Sequence, residues 1–166
     1  MSSPKLIKTI ALGLSMSLAG IAMAPMATAA GAEPTFALKS NSNGKIRAGA
    51  NAFQKGDFSK AAFFQKAALK SGLSKSRKAA AYTNLCAAEG ALGNLEAAKT
   101  ACASALELRP DAWQAANNSG VVEWLAGDHE AAAVTFASAV ELAGEKGAIA
   151  RTNAVMAGAS QLASAN

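Results

Sequence analysis

Acid–base and metal chemistry need histidines, cysteines and carboxylates brought together. This chain of 166 residues offers one histidine, His129, and two cysteines, Cys86 and Cys102. One histidine with two cysteines sixteen residues apart fits no zinc spacing. No glycine-rich phosphate loop or nucleophile elbow is present in the sequence. His129 reads more simply as a packing residue at a helix start, because Phe58 and Leu95 hold the same place in two similar turns. The chain is therefore read as non-enzymatic, with no cofactor and no metal.

Charge is the remaining chemical signal. Residues 39–78 hold ten Lys or Arg against the single acid Asp57, whereas residues 79–145 hold Lys99 and Arg109 against nine acids. The net charge of +5 conceals this polarity. Lys45, Arg47, Lys55, Lys60, Lys66 and Lys70 form a candidate basic patch that could attract a polyanion. The same residues also suit a merely solvated helix face. Without interleaved aromatics they do not point to nucleic acid.

The elements that carry these residues recur. Gly56-Asp57-Phe58 returns as Gly93-Asn94-Leu95 and Gly127-Asp128-His129, at spacings of 37 and 34 residues. Seven residues before each glycine stands a small residue (Gly49, Cys86, Gly120), and alanines follow five and twelve residues after it (Ala61 and Ala68, Ala98 and Ala105, Ala132 and Ala139). Two alanines seven apart share one helix face and let a second helix approach closely. Each unit is thus predicted to be two antiparallel helices around a tight glycine turn. A recurring unit of this length marks a repeat architecture. Apolar residues make up 51% of the chain but aromatics only 5%, so the core must be built from Ala, Leu and Val at short helix separations.

The pattern resembles the tetratricopeptide repeat (TPR) family. Tyr82, Leu85, Cys86, Ala98, Cys102, Ala105 and Pro110 fall at the family's signature places in the second unit. The third unit keeps Gly120, Gly127, Asp128, Ala132, Phe136 and Ala139. The first keeps Gly49, Gly56, Asp57, Phe58, Ala61 and Ala68, with its aromatic one place early at Phe64. The resemblance implies an all-α fold, an α-α superhelix (solenoid) of three TPR helical hairpins plus a C-terminal capping helix. The TPR domain is expected over residues 43–166, with repeats near 43–78, 79–112 and 113–146 and a capping helix over 148–165.

It also implies a peptide-binding groove lined by the first helix of each pair, with Asn84, Asn117, Asn118, Gln114, Thr83, Trp124, Phe53 and Arg151 as candidate lining residues. Asn, Gln and Thr offer donors and acceptors to a peptide main chain without selecting its sequence. Phe53 and Trp124 would be apolar anchors, or Trp124 would pack between neighbouring helices. The carboxylate clamp of chaperone-binding members does not carry over, since only Asn84 matches its five places. Cys86 and Cys102 stand eight residues either side of Asn94, at equal height on facing helices whose packed faces the resemblance assigns. They form either a disulfide or a small residue and a buried apolar one.

Residues 1–29 read as a signal peptide. Lys5 and Lys8 precede the uncharged run Ile10 to Ala24, Pro25 breaks it, and Ala27-Thr28-Ala29 supplies a cleavage pattern. Neither a twin arginine nor a nearby lipidation cysteine accompanies it. Residues 30–42 read as a flexible tether. The expected destination is the periplasm or the medium, with membrane contact only transiently through the signal peptide. The expected partner is a protein or peptide, with no nucleic acid, and weak self-association is allowed for. The expected role is a protein-binding scaffold or adaptor of the bacterial cell envelope, acting through the groove. The alternative is an envelope-surface adaptor that docks on anionic polymer or lipid through the basic first repeat.

Overall fold

The computed structural model describes residues 33–164. The expected signal peptide and the start of the expected tether lie outside them. Seven α-helices follow in order: α1 (Gly44–Gln54), α2 (Phe58–Leu69), α3 (Lys75–Ala91), α4 (Leu95–Leu108), α5 (Trp113–Leu125), α6 (His129–Ala143) and, after a 3-10 turn over Gly144–Lys146, α7 (Ala148–Ser164). No strand occurs among the described residues. Consecutive helices pack antiparallel, and α1, α3, α5 and α7 also touch in succession. The architecture is an α-α solenoid of three hairpins closed by α7, with the first helices lining its inner face.

The recurring turns have one backbone solution. Gly56, Gly93 and Gly127 take φ of +77°, +78° and +85°, the left-handed region that ends helices at least cost with glycine. The amide of the following residue then bonds five residues back, from Asp57 to Ala52, Asn94 to Glu89 and Asp128 to Glu123, at 2.9–3.0 Å. Asp57 and Asp128 next accept the amides of Lys60 and Ala131 and so cap α2 and α6. Asn94 does not cap α4. Its side-chain amide donates to Glu89 Oε2 at 2.8 Å instead.

One boundary differs from expectation. The second repeat is expected from residue 79, but α3 begins at Lys75, immediately after Ser74 in extended backbone at the N-cap. Lys75, Arg77 and Lys78 are good helix formers. Exposed on the first turns of α3, they extend the helix and keep their charges in water.

Within each hairpin, the small residue of the first helix meets a residue sixteen places later on the second. A Cβ on Gly49 would lie 2.2 Å from Gln65, and one on Gly120 would lie 2.7 Å from the Phe136 ring. Gln65 and Phe136 are fully buried. Gln65, not Phe64, therefore fills the inter-helix place of the first hairpin; its Nε2 donates to the Ile46 carbonyl at 3.1 Å, while its buried Oε1 has no partner. In the second hairpin the same pair of positions holds Cys86 and Cys102. The structure joins them in a disulfide with a Cα separation of 5.2 Å. Around these contacts the core is mostly alanine, with Ala61, Ala98, Ala105, Ala132 and Ala139 at 0–1% exposure.

A loop of this length should be stabilised by about 3 kcal/mol through loss of unfolded-chain entropy. Urea unfolding with and without reductant measures it: the reduced protein should unfold at clearly lower urea. An unchanged midpoint after mass spectrometry has shown two free thiols would contradict it.

Candidate functional site

Four asparagines face one another along the inner side: Asn84 from α3, Asn117 and Asn118 from α5, and Asn153 from α7. All are at most 2% exposed. Buried amides of this kind must find partners, and here the partner is the chain's own segment before α1. Alternate residues of an extended backbone turn their N–H and C=O groups to the same side, and Thr35, Ala37 and Lys39 do so.

The Ala37 amide donates to Asn118 Oδ1 at 2.7 Å, and Asn118 Nδ2 returns a bond to the Ala37 carbonyl at 2.9 Å. Lys39 makes the same reciprocal pair with Asn84, at 2.7 and 3.1 Å. Thr35 makes it with Asn153, at 3.0 and 2.9 Å. Asn117 completes the row. It donates to the Thr35 carbonyl at 3.1 Å and accepts from Asn153 Nδ2 at 2.9 Å. Each pairing reproduces, with one side-chain amide, what a neighbouring strand would offer.

The part of the expected tether from Thr35 to Lys39 is thus held in the groove rather than flexible. The reason is the asparagine row, which pairs the main chain of Thr35, Ala37 and Lys39. The side chains of Pro34 and Ala37 are buried and Phe36 is half-buried. The Phe36 ring stands edge-on to Phe53, with centroids 6.2 Å apart.

The other candidate residues divide. Phe53 joins the site through Phe36. Thr83 spends its hydroxyl on the Ala79 carbonyl, while its own carbonyl accepts from Asn118 Nδ2 at 3.2 Å. Gln114 lies beyond the end of the row, on an open cleft of about 540 Å³ that also takes in Lys39, Ser76, Thr83, Trp113 and Glu145. Arg109 and Asp111 stand on the same cleft. The hydrogen bonds from Arg109, at 2.8 and 2.6 Å, hold the Asp111 carboxyl down to about 2.

Two candidates are not groove anchors. Trp124 is half-buried against Val121, Ala132 and Phe136, and its ring lies against exposed His129, tilted by 58° with centroids 4.2 Å apart. The packing alternative is the one adopted, because Trp124 lies six residues, nearly two helical turns, past Asn118. Arg151 turns away from the row and donates to the carbonyls of Gly144 and Glu145, in the 3-10 turn after α6.

The six residues of the basic patch are all exposed. Lys66 is already committed, with its ammonium 2.6 Å from Glu89 Oε1. Glu89 is 2% exposed. Burial opposes its ionisation, but the hydrogen bonds from Lys66 and Asn94 outweigh this and hold its carboxyl below the usual range. Lys66 is therefore a structural partner as much as a surface charge.

Sequence reasoning missed Asn153 and the segment Thr35–Lys39. Asn153 was legible: it stands 35 residues after Asn118, which stands 34 after Asn84. The segment was not, since its contacts are made by main chain.

The TPR domain of Arabidopsis OM64 superposes with a TM-score of 0.58 and 22% identity, over 68% of this chain and 90% of that one. The chain has the fold of a TPR helical solenoid. No protein-family model matches the sequence, and no curated protein does.

Replacing Asn118 by Ala should leave the buried Ala37 amide and carbonyl unpaired and destabilise the protein by about 1–3 kcal/mol. Hydrogen exchange of the Ala37 amide should quicken well before that of the helices; exchange unchanged from wild type would mean the bond contributes nothing.

The Lys66–Glu89 pair gives a pH test with a definite sign. A depressed carboxyl contributes stability that is full above its unfolded pKa near 4.5 and lost as pH falls through the lower folded value. Lys66→Met should cost about 1 kcal/mol at pH 7, limited by the solvated lysine end. Urea midpoints of variant and wild type should converge below pH 4.5; a constant gap down to pH 2 would refute the pairing.

Proposed function

We propose that this protein is a non-catalytic scaffold of the bacterial cell envelope that holds an extended segment of a protein or peptide partner along its inner face. One observation carries the reading: four buried asparagines on successive first helices and α7 bond the main chain of Thr35, Ala37 and Lys39, alternate residues of one extended segment. That arrangement is a receptor for backbone. Residues 1–29 support export by their charge and apolar pattern. A disulfide between Cys86 and Cys102 suits an oxidising compartment. The rival reading, docking on anionic polymer or lipid, is favoured by the exposed Lys45, Arg47, Lys55, Lys60 and Lys70 of the first hairpin.

A photo-crosslinking residue placed at Gln114, and separately at Lys60, tests the two in growing cells. Adducts should form from Gln114. The trapped partner, purified, should bind the Asn84→Ala, Asn118→Ala double variant at least about tenfold more weakly, a loss of about 1.4 kcal/mol. Its affinity should change little between about 0.1 and 0.5 M salt, because screening acts on exposed charges. Adducts from Lys60 alone, with binding lost in high salt, would overturn the groove in favour of the surface adaptor.

A further inference from the structure

We infer that Pro34–Lys39 is a tethered ligand plugging the groove. The partner it stands in for is an extended peptide carrying an aromatic residue immediately followed by a small one. This rests on the groove reading above and adds to it a sequence preference and a built-in competitor.

The preference comes from the two places where the segment is read by side chain. Three residues before each loop glycine, the first helices carry Phe53, Gly90 and Trp124. The middle place is a notch between two aromatics. Phe36 fills it: a Cβ on residue 90 would lie 2.5 Å from the Phe36 ring and 3.3 Å from Val122. The ring then packs against both the Phe53 and the Phe136 sides of the core. The ligand thus supplies the aromatic that the second repeat lacks. The next residue, Ala37, is 1% exposed, with its main chain clamped on Asn118, so a longer side chain has nowhere to go. Thr35 and Lys39 are exposed and unselective. The recognised element is therefore an aromatic–small pair within about five residues of extended backbone.

The competition comes from connectivity. Only Ser40–Asn43 separate the plug from α1, so its effective concentration at the groove is on the order of millimolar. A peptide of the same pattern arriving from another chain must displace it. For an intrinsic affinity in the micromolar range, that lowers apparent affinity by about 100-fold or more.

The test uses the full chain and a labelled synthetic peptide, Glu33–Ser40. Ala37→Glu places a charge in the buried position and should eject the plug, and Phe36→Ser does so more gently should the first variant fold poorly. Fluorescence anisotropy should show the peptide binding the ejected variant about 100-fold more tightly than wild type. Peptides with Phe36→Ala or Ala37→Leu should lose at least about tenfold, and Asn118→Ala in the receptor should abolish binding. Equal affinity for wild type and ejected variant would overturn the plug. Indifference to both peptide changes would overturn the preference while leaving the groove reading standing. No binding to a folded variant whose residue-37 amide exchanges freely would overturn both. A wild-type dimer that the ejected variant cannot form would reassign the segment to exchange between two copies and overturn the partner proposed here.

Discussion

Every hairpin depends on one close contact, made sixteen residues apart across a glycine turn. Gly49 against Gln65, Cys86 against Cys102 and Gly120 against Phe136 are three solutions to the same problem, the filling of a fixed gap between two helix axes. Where the first helix gives up its Cβ, the second contributes a large side chain. Where neither side chain is large, a covalent bridge spans the gap. Interiors at crystal-like density tolerate little deviation in volume, so the contact fixes the separation of the helices. The alanines at 0–1% exposure permit that separation, and the sixteen-residue contact sets its value.

Helix separation in turn sets the site. Because first helices touch first helices, α3, α5 and α7 present equivalent faces side by side, and one asparagine from each meets every second residue of an extended strand. A buried amide with no partner costs more than a satisfied one returns. The row is therefore satisfied without water only when something extended lies on it. In this structure the chain supplies that occupant itself, and the occupant pays back by filling the Gly90 notch with Phe36. Groove, plug and core are consequently coupled. Whatever removes the segment also strips an aromatic from the packing between Phe53 and Val121.

The Lys66–Glu89 pair shows the same coupling between repeats. Glu89 is buried on α3 and is neutralised from α2, in the preceding hairpin, by a residue that by sequence belongs to the basic surface. Glu123 holds the equivalent place one repeat later, and there burial pushes the carboxyl up. The charge asymmetry between the first hairpin and the rest thus has a structural share as well as any electrostatic role at the surface.

The helices, their turns, the hairpin pairing and the height of Cys86 opposite Cys102 were all legible in the sequence. The physical reason is that each is local or periodic: a glycine with positive φ, alanines seven apart, two residues equidistant from a turn. Asn84, Asn118 and Asn153 were legible for the same reason, since they recur with the repeat at 34 and 35 residues. The occupant of the groove, the partner of Lys66, the outward turn of Arg151 and the contact of Trp124 with His129 were decided by tertiary structure alone. The asparagines bind N–H and C=O groups that every residue but proline carries alike, so residue type leaves no mark at Thr35 or Lys39 to announce the contact. The ion pair and the two redirected side chains depend on which helices meet, and that is settled only when the hairpins stack.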